Sequence, residues 1–318
     1  MKKILLTRKM YFDHIKEIDV KDYEVLTSFD YLPSKEELRE VEIVLGNIDT
    51  DLLKDMPNLK FLQISNAGSE KYAFRDEIKN KVILANSTGC YSDSISEWAI
   101  GMIMYFYKNL NVIIPNQSKH IYFNPGETKT VYGSKVLIIG CGSIGMYTAR
   151  KLNALGALVD GIKKTVGEKP DYLDNLYTND KLSEVISDYD IIFMSLPAND
   201  TTYHYMNKEL LNKLKDGSLL MNVGRGSCID EEALIEVLKN KKIYACLDVF
   251  EKEPLDEKSE LWDLENVLIT PHSTGNETCE RTRQLLTKLA LENLDNYLNN
   301  RPLKNVVDFN TGYKISNT

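Results

Sequence analysis

Lys135-Val136-Leu137-Ile138-Ile139-Gly140-Cys141-Gly142-Ser143-Ile144-Gly145 is the stretch that decides the fold of this 318-residue chain. Its apolar run reads as a buried strand, and glycines at positions 140, 142 and 145 follow it directly. Ile144, Thr148, Leu152 and Leu155 then recur at helical spacing, which predicts a helix opening at the turn. Strand, glycine turn and helix in that order form a dinucleotide-binding fingerprint. Gly140 permits the tight turn, Gly142 lets a pyrophosphate approach the backbone, and Gly145 lets helix and strand pack. The helix N-terminus, with Ser143 and Ile144, favours the anion and completes the expected phosphate-binding set.

Working outward, strands and helices keep alternating on both sides. Downstream, apolar runs at 136–139, 158–162, 191–195, 218–222, 244–248 and 267–269 predict a complete doubly wound dinucleotide-binding sheet. Upstream, runs at 4–6, 43–45, 61–64 and 82–85 separated by polar, helix-like stretches predict another set of parallel strands. Ser34 followed by Glu37 reads as a capping box. A long helix is expected from after Ser94 to about Tyr107, and Pro115 and Pro125-Gly126 are expected to mark loops. Leu286, Leu289, Ala290, Leu294, Tyr297 and Leu298 predict a final helix that stops before Pro302.

Apolar residues make up 43% of the chain and charged residues 27%, the composition of a globular protein with domains of about 100–200 residues. The net charge of −8 comes without a long basic run, so nucleic acid is not an expected partner. The apolar part of Met1-Lys2-Lys3-Ile4-Leu5-Leu6 is too short for a secretion signal. The longest apolar run, 98–107, falls short of the roughly 20 residues that span a bilayer, so no membrane association is expected. The five cysteines, Cys90, Cys141, Cys228, Cys246 and Cys279, are odd in number and lack Cys-x-x-Cys spacing. That argues against a disulfide framework and against a zinc site, and makes a reducing cytoplasm the expected location.

Three short motifs follow the glycine turn: Asn222-Val223-Gly224-Arg225-Gly226, Asp248-Val249-Phe250-Glu251-Lys252-Glu253-Pro254 and Thr270-Pro271-His272-Ser273-Thr274-Gly275. Each comes after a predicted strand, where open α/β sheets bind their ligands. Reducing a 2-oxo acid needs a cation for the carboxylate, an acid for the ketone oxygen, and a group that keeps the acid charged. Arg225 can grip a carboxylate through two parallel bonds, and His272 is the natural proton donor. A hydrogen bond to Glu253 would favour the imidazolium form. Arg225, Glu253 and His272 are therefore the expected catalytic residues, with Arg225 and His272 also touching substrate; His14, His120 and His204 read as structural.

About 20 residues beyond the first glycine, the cofactor ribose meets either Asp160 or Lys163. An offset of three puts these two on opposite faces of an extended strand, so only one can face the ribose. Lys163, Lys164 and Thr165 would offer two charges and a hydroxyl to a 2′-phosphate, which makes NADP(H) the preferred expectation. NAD(H) stays open, with Asp160 or another group on the ribose.

The glycine turn and the three motifs together resemble the D-2-hydroxyacid dehydrogenase family. The likeness extends to Leu196-Pro197, Thr202, His204, Leu261-Trp262, Asn293-Leu294 and Asn305-Val306-Val307-Asp308. It implies an α/β architecture: a doubly wound parallel Rossmann cofactor domain, 96–278, inserted in a smaller flavodoxin-like substrate domain made of 1–95 and 279–318, with the active site in the cleft between them. It also implies that Asn66, Ala67 and Gly68 present backbone N–H groups to the substrate carboxylate, and that Asp248 holds the nicotinamide amide. Leu196, Pro197, Thr202, Val223, Gly224 and Gly275 would line the cofactor. A homodimer built through the helix around 98–107 is implied as well. In the family's usual pattern an acid stands where this chain has Lys163, and small apolar or aromatic residues often follow the histidine where it has Ser273-Thr274.

The implied reaction passes hydride from NAD(P)H to a small 2-oxo acid of the glyoxylate, hydroxypyruvate or pyruvate type, giving the D-2-hydroxy acid. A dehydrogenase of bulkier 2-oxo acids using NADH is the enzymatic alternative. A function of another class, a nicotinamide-sensing binding protein like the corepressors that resemble this family, would keep the same motifs. Formate dehydrogenases pair glutamine with the histidine, whereas this chain has Glu253.

Overall fold

The computed structural model describes residues 1–29, 31–165 and 167–315, and its named strands pair in parallel within two sheets. Each sheet belongs to one of two units, Met1–Tyr91 with Glu277–Thr318 and Ser92–Asn276.

In the first unit, β1 (Lys3–Leu6), β2 (Glu24–Thr27), β3 (Val41–Leu45), β4 (Phe61–Gln63) and β5 (Ile83–Ala85) lie in the order β2-β1-β3-β4-β5. That is the flavodoxin-like order. β1, β3 and β4 are buried along their whole length and, apart from Lys3, Glu42 and Gln63, apolar, which is why they are legible as strands. Edge strand β2, Glu-Val-Leu-Thr with only Leu26 buried, gives no such signal. The helix Glu280–Leu298 buries Leu286, Ala290 and Leu294 as its spacing predicts. Its Asn293, fully buried, donates to Gln63 Oε1 at 2.7 Å, so this amide pair ties the helix to β4. Ser34 and Glu37 form the expected reciprocal capping box.

In the second unit, β6 (Lys135–Ile139), β7 (Leu158–Ile162), β8 (Asn175–Tyr177), β9 (Ile191–Met194), β10 (Leu219–Asn222), β11 (Tyr244–Leu247) and β12 (Val267–Ile269) lie in the order β12-β11-β10-β9-β6-β7-β8. The strand order reverses between β6 and β9, the point at which doubly wound sheets open a ligand crevice. β8, a short polar edge strand, adds a seventh to the six that the sequence predicts.

Three expectations need correction. The helix after the glycine turn, Ser143–Ala154, buries Gly145, Thr148, Ala149 and Leu152, while Ile144 is half-buried and Leu155 lies past the helix end, 41% exposed. Small residues face the sheet there because helix and strand approach closely. Pro115 does not mark a loop; it sits inside the helix Leu110–Ser118. No residue of that helix is buried, so water can satisfy the carbonyl that the proline ring deprives of a partner. The long helix begins at Ser92, three residues earlier than the expected start after Ser94. Among the described residues no helix is long and apolar enough to cross a membrane, and all five cysteines are free thiols.

Candidate active site

The glycine turn has the shape of an anion cradle. Gly140 has φ +98°, and a β-carbon on it would lie 2.9 Å from the Ser195 carbonyl oxygen. One on Gly145 would lie 2.2 Å from Gly140 O, whereas the space around Gly142 is open. The residues present therefore fit a pyrophosphate approaching the backbone at Gly142 and the start of the following helix. Ser195 Oγ donates to Gly140 O at 2.9 Å, and Ser143 Oγ lies 2.9 Å from the buried Ser92 Oγ. Cys141 packs behind the turn against Gly161, where a β-carbon would come within 2.5 Å of its sulfur. Burial pushes the Cys141 thiol up to about 11, against a pull downward from Lys163, so no thiolate competes with an incoming anion.

At the end of β7 the two ribose candidates differ sharply in what they touch. Asp160 accepts from Asn175 N at 2.8 Å and Asn175 Nδ2 at 3.1 Å through one oxygen, and from the Tyr189 hydroxyl at 2.5 Å through the other. Its carboxylate ties β7 to β8 and to the segment before β9. Burial, then Asp160, push the Tyr189 phenol well up, which keeps it a donor. Lys163, Lys164 and Thr165 follow the strand and are exposed.

The three motifs occupy the C-terminal ends of β10, β11 and β12. Asn222, buried at the end of β10, clamps the first: its Oδ1 accepts from Gly224 N and its Nδ2 donates to Arg225 O, both at 3.0 Å. Gly224 is needed because a β-carbon would lie 2.4 Å from Leu196 O. Arg225 Nη1 donates to Gly224 O at 2.9 Å. Thr202 Oγ1 donates to Pro197 O at 2.6 Å and fixes the loop after β9.

His272 has φ +50°, a left-handed conformation rare for a side-chain-bearing residue, and its turn is held from beneath by Asp248. His272 N donates to Asp248 O at 2.9 Å. The Asp248 carboxylate, 2% exposed, accepts from Thr270 Oγ1 (2.6 Å), Ser273 N (2.9 Å), Thr274 Oγ1 (2.6 Å) and Thr274 N (3.3 Å). Four donors inside the chain engage both its oxygens, a holding role distinct from the one that resemblance implies for it. Glu253 Oε2 lies 2.8 Å from His272 Nδ1, and Glu253 Oε1 accepts from Phe250 N at 3.1 Å. The pair joins two motifs 19 residues apart in sequence. Asn222, Thr270 and Thr274 belong to the quoted motifs, but neither they nor Ser92 show a clamping role in sequence; a hydroxyl or amide carries no pattern that distinguishes a clamp from a solvated side chain.

In the first unit, the loop Asn66-Ala67-Gly68 is braced on several sides. Ser65 N donates to Asn47 Oδ1 (3.0 Å), Asn47 Nδ2 to Asn66 Oδ1 (2.8 Å), Ser87 N to Asn66 O (2.9 Å) and Asn86 Nδ2 to Ala67 O (2.8 Å). The Tyr91 hydroxyl donates to Ser65 O at 2.7 Å. Among the described residues, no group of three or more His, Cys, Asp or Glu side chains is placed to share a metal ion.

Residues 100–274 match the family model described as D-isomer specific 2-hydroxyacid dehydrogenase, NAD binding domain. A glyoxylate reductase of Thermofilum pendens is 29% identical over 292 residues, which cover 86% of this chain and 84% of that protein. Among solved structures, a D-isomer specific 2-hydroxyacid dehydrogenase family protein from Aeromonas salmonicida matches with a TM-score of 0.86 at 25% identity, over 97% of this chain and 99% of its own. The NADPH-dependent glyoxylate/hydroxypyruvate reductase of Sinorhizobium meliloti, solved with NADP and sulfate, has the same fold: TM-score 0.80 at 23% identity, over 98% of this chain and 100% of its own.

Proposed function

The chain belongs to the D-isomer specific 2-hydroxyacid dehydrogenase family, and from that premise we propose that Arg225, Glu253 and His272 carry out the reduction of a small 2-oxo acid to its D-2-hydroxy acid. The observation that carries the proposal is the His272–Glu253 contact of 2.8 Å on the sheet that bears the glycine turn. When bound, the reduced nicotinamide supplies the hydride. Gly140, Gly142, Ser143, Ile144 and Gly145 would hold its pyrophosphate, and Leu196, Pro197, Thr202, Val223, Gly224 and Gly275 would line the rest. Arg225 binds the substrate carboxylate and polarises the carbonyl. His272, with Nδ1 facing Glu253, donates a proton from Nε2 to the ketone oxygen and takes it back in the reverse direction. Asn66, Ala67 and Gly68 offer backbone N–H groups suited to a carboxylate; among the described residues no bond takes the N–H of Ala67 or Gly68.

NADPH is the preferred cofactor in this reading. The engagement of Asp160 with Asn175 and Tyr189 leaves the exposed Lys163, Lys164 and Thr165 as the groups suited to a 2′-phosphate. Glyoxylate and hydroxypyruvate are the first substrates to try, since the reductases named above act on them. A second copy of the chain is the expected partner. The helix around 98–107 is the expected contact, and Val112, Ile113, Ile114, Ile121 and Phe123, all exposed in the segment that follows it, extend that surface with apolar area suited to a homodimer in the cytoplasm. Oxidation of NADPH, followed by its absorbance with each 2-oxo acid, tests the reading. Turnover that His272→Ala abolishes supports it, and full turnover by that variant removes it.

A further inference from the structure

Two glutamates of the segment between β11 and β12, Glu251 and Glu253, each face a histidine. Glu253 meets His272 Nδ1 at 2.8 Å; Glu251, two residues earlier, meets His204 Nε2 at 2.6 Å. Both histidines have left-handed backbones, φ +50° at His272 and +44° at His204, a conformation that persists where the surroundings hold it in place. The reaction described above uses the first pair and has no part for the second.

Glu251 is gripped by three residues from two segments. Its Oε1 accepts from His204 Nε2 and, at 3.3 Å, from the Tyr203 hydroxyl, while its N–H donates to Glu231 Oε2 at 3.2 Å in the first turn of the helix Glu231–Asn240. The Tyr203 ring stacks on His204 with centroids 4.0 Å apart and 13° between planes. His204 N donates in turn to Ser227 O at 2.8 Å. Next to Ser227, Gly226 presses so closely on the loop that a β-carbon there would lie 1.8 Å from the carbonyl carbon of Phe250. Phe250 N is the donor that holds Glu253 Oε1, at 3.1 Å. Whatever fixes Phe250 and Glu251 therefore fixes the carboxylate that faces His272. The side chains of His204 and Glu251 are only 30% and 32% exposed, more withdrawn than those of a freely solvated surface pair.

We infer that His204 and Glu251 form a positioning pair that sets Glu253 against His272. The pair touches no reacting atom; it acts through the short span from Glu251 to Glu253. The inference rests on the reading of His272 as proton donor.

The test uses the full chain carrying His204→Ala, His204→Gln and Glu251→Gln, each made in the native sequence and in a Glu253→Gln background. Turnover number and KM for the 2-oxo acid, Kd for NADPH from its fluorescence, and Tm are measured for each. His204→Ala is expected to lower kcat about ten- to a hundredfold, the scale for a catalytic group moved by about an ångström, with KM and the NADPH Kd little changed. His204→Gln restores most of the loss, because an amide can still donate to Glu251. In the Glu253→Gln background His204→Ala brings no further loss. Should His204→Ala fold poorly, Glu251→Gln, which keeps the side-chain shape, carries the same comparison. Unchanged kcat in His204→Ala, or an equal loss in both backgrounds, overturns the pair. If Glu253→Gln and His272→Ala themselves turn over normally, the proton-donor reading fails instead.

Discussion

His272 Nδ1 lies 2.8 Å from Glu253 Oε2, so one ring nitrogen is committed to a carboxylate, and in the proposed reaction Nε2 is the one that exchanges a proton with substrate. Replacing His272 by alanine is expected to lower kcat by about 10²–10⁴, the usual share of a positioned general acid. Glu253→Gln keeps the size of the side chain and removes its charge. Without the facing carboxylate the ring loses the charged acceptor that orients it, and kcat is expected to fall about ten- to a hundredfold. Unchanged kcat in Glu253→Gln would show that Glu253 does not act through His272.

Lys163 is exposed at the end of β7, while Asp160 is held by Asn175 and Tyr189. Lys163→Asp should therefore weaken NADPH more than NADH. A charge-assisted hydrogen bond is worth roughly 1.5–3 kcal/mol, which corresponds to about ten- to a hundredfold in Kd. Fluorescence titrations with both cofactors measure the difference, and equal losses would show that Lys163 does not read the phosphate.

Asp248 is 2% exposed and receives four hydrogen bonds from Thr270, Ser273 and Thr274. Asn in its place turns one acceptor into a donor that faces donors. The expected outcome is a stability loss of about 1–3 kcal/mol and a lower kcat, since the same bonds hold the turn that carries His272. Denaturant unfolding and turnover of Asp248→Asn check both, and a variant normal in each would remove the holding role.

Gly145→Ala places a β-carbon where the structure leaves 2.2 Å to the Gly140 carbonyl oxygen. Backbone must shift, at a cost of about 1–3 kcal/mol, and the shift falls on the phosphate cradle. Loss of NADPH binding in calorimetry is the expected result; Gly142→Ala, in open space, should retain the fold and lose only cofactor. Wild-type affinity in both variants would move the cofactor away from this turn.

The parallel strands of both sheets were legible where they are buried on both faces, because such strands leave apolar runs; β2 and β8 lie at sheet edges, expose polar residues and leave none. The glycine turn was legible because Gly140 and Gly145 answer a steric constraint and Gly142 leaves open space beside the backbone. Arg225, Glu253 and His272 stood out by chemistry and by their places after strands, yet their supports did not: Asn222, Thr270 and Thr274 act through hydrogen bonds that depend on three-dimensional approach. Pro115 misled because an exposed helix can carry a proline that a buried one would reject.

Ile114 and Phe123 are 52% and 42% exposed, and an aspartate at either position should split the homodimer if that surface forms it. Light scattering of Ile114→Asp beside the native chain reads the mass directly. A native chain that runs as a monomer would contradict the assignment.

The most direct test of the whole account is the initial rate of NADPH and NADH oxidation with glyoxylate, hydroxypyruvate and larger 2-oxo acids such as phenylpyruvate, for the native chain and His272→Ala side by side. The account predicts turnover of a small 2-oxo acid that favours NADPH and collapses in the variant; undiminished turnover in His272→Ala, or none in the native chain with either cofactor, would contradict it.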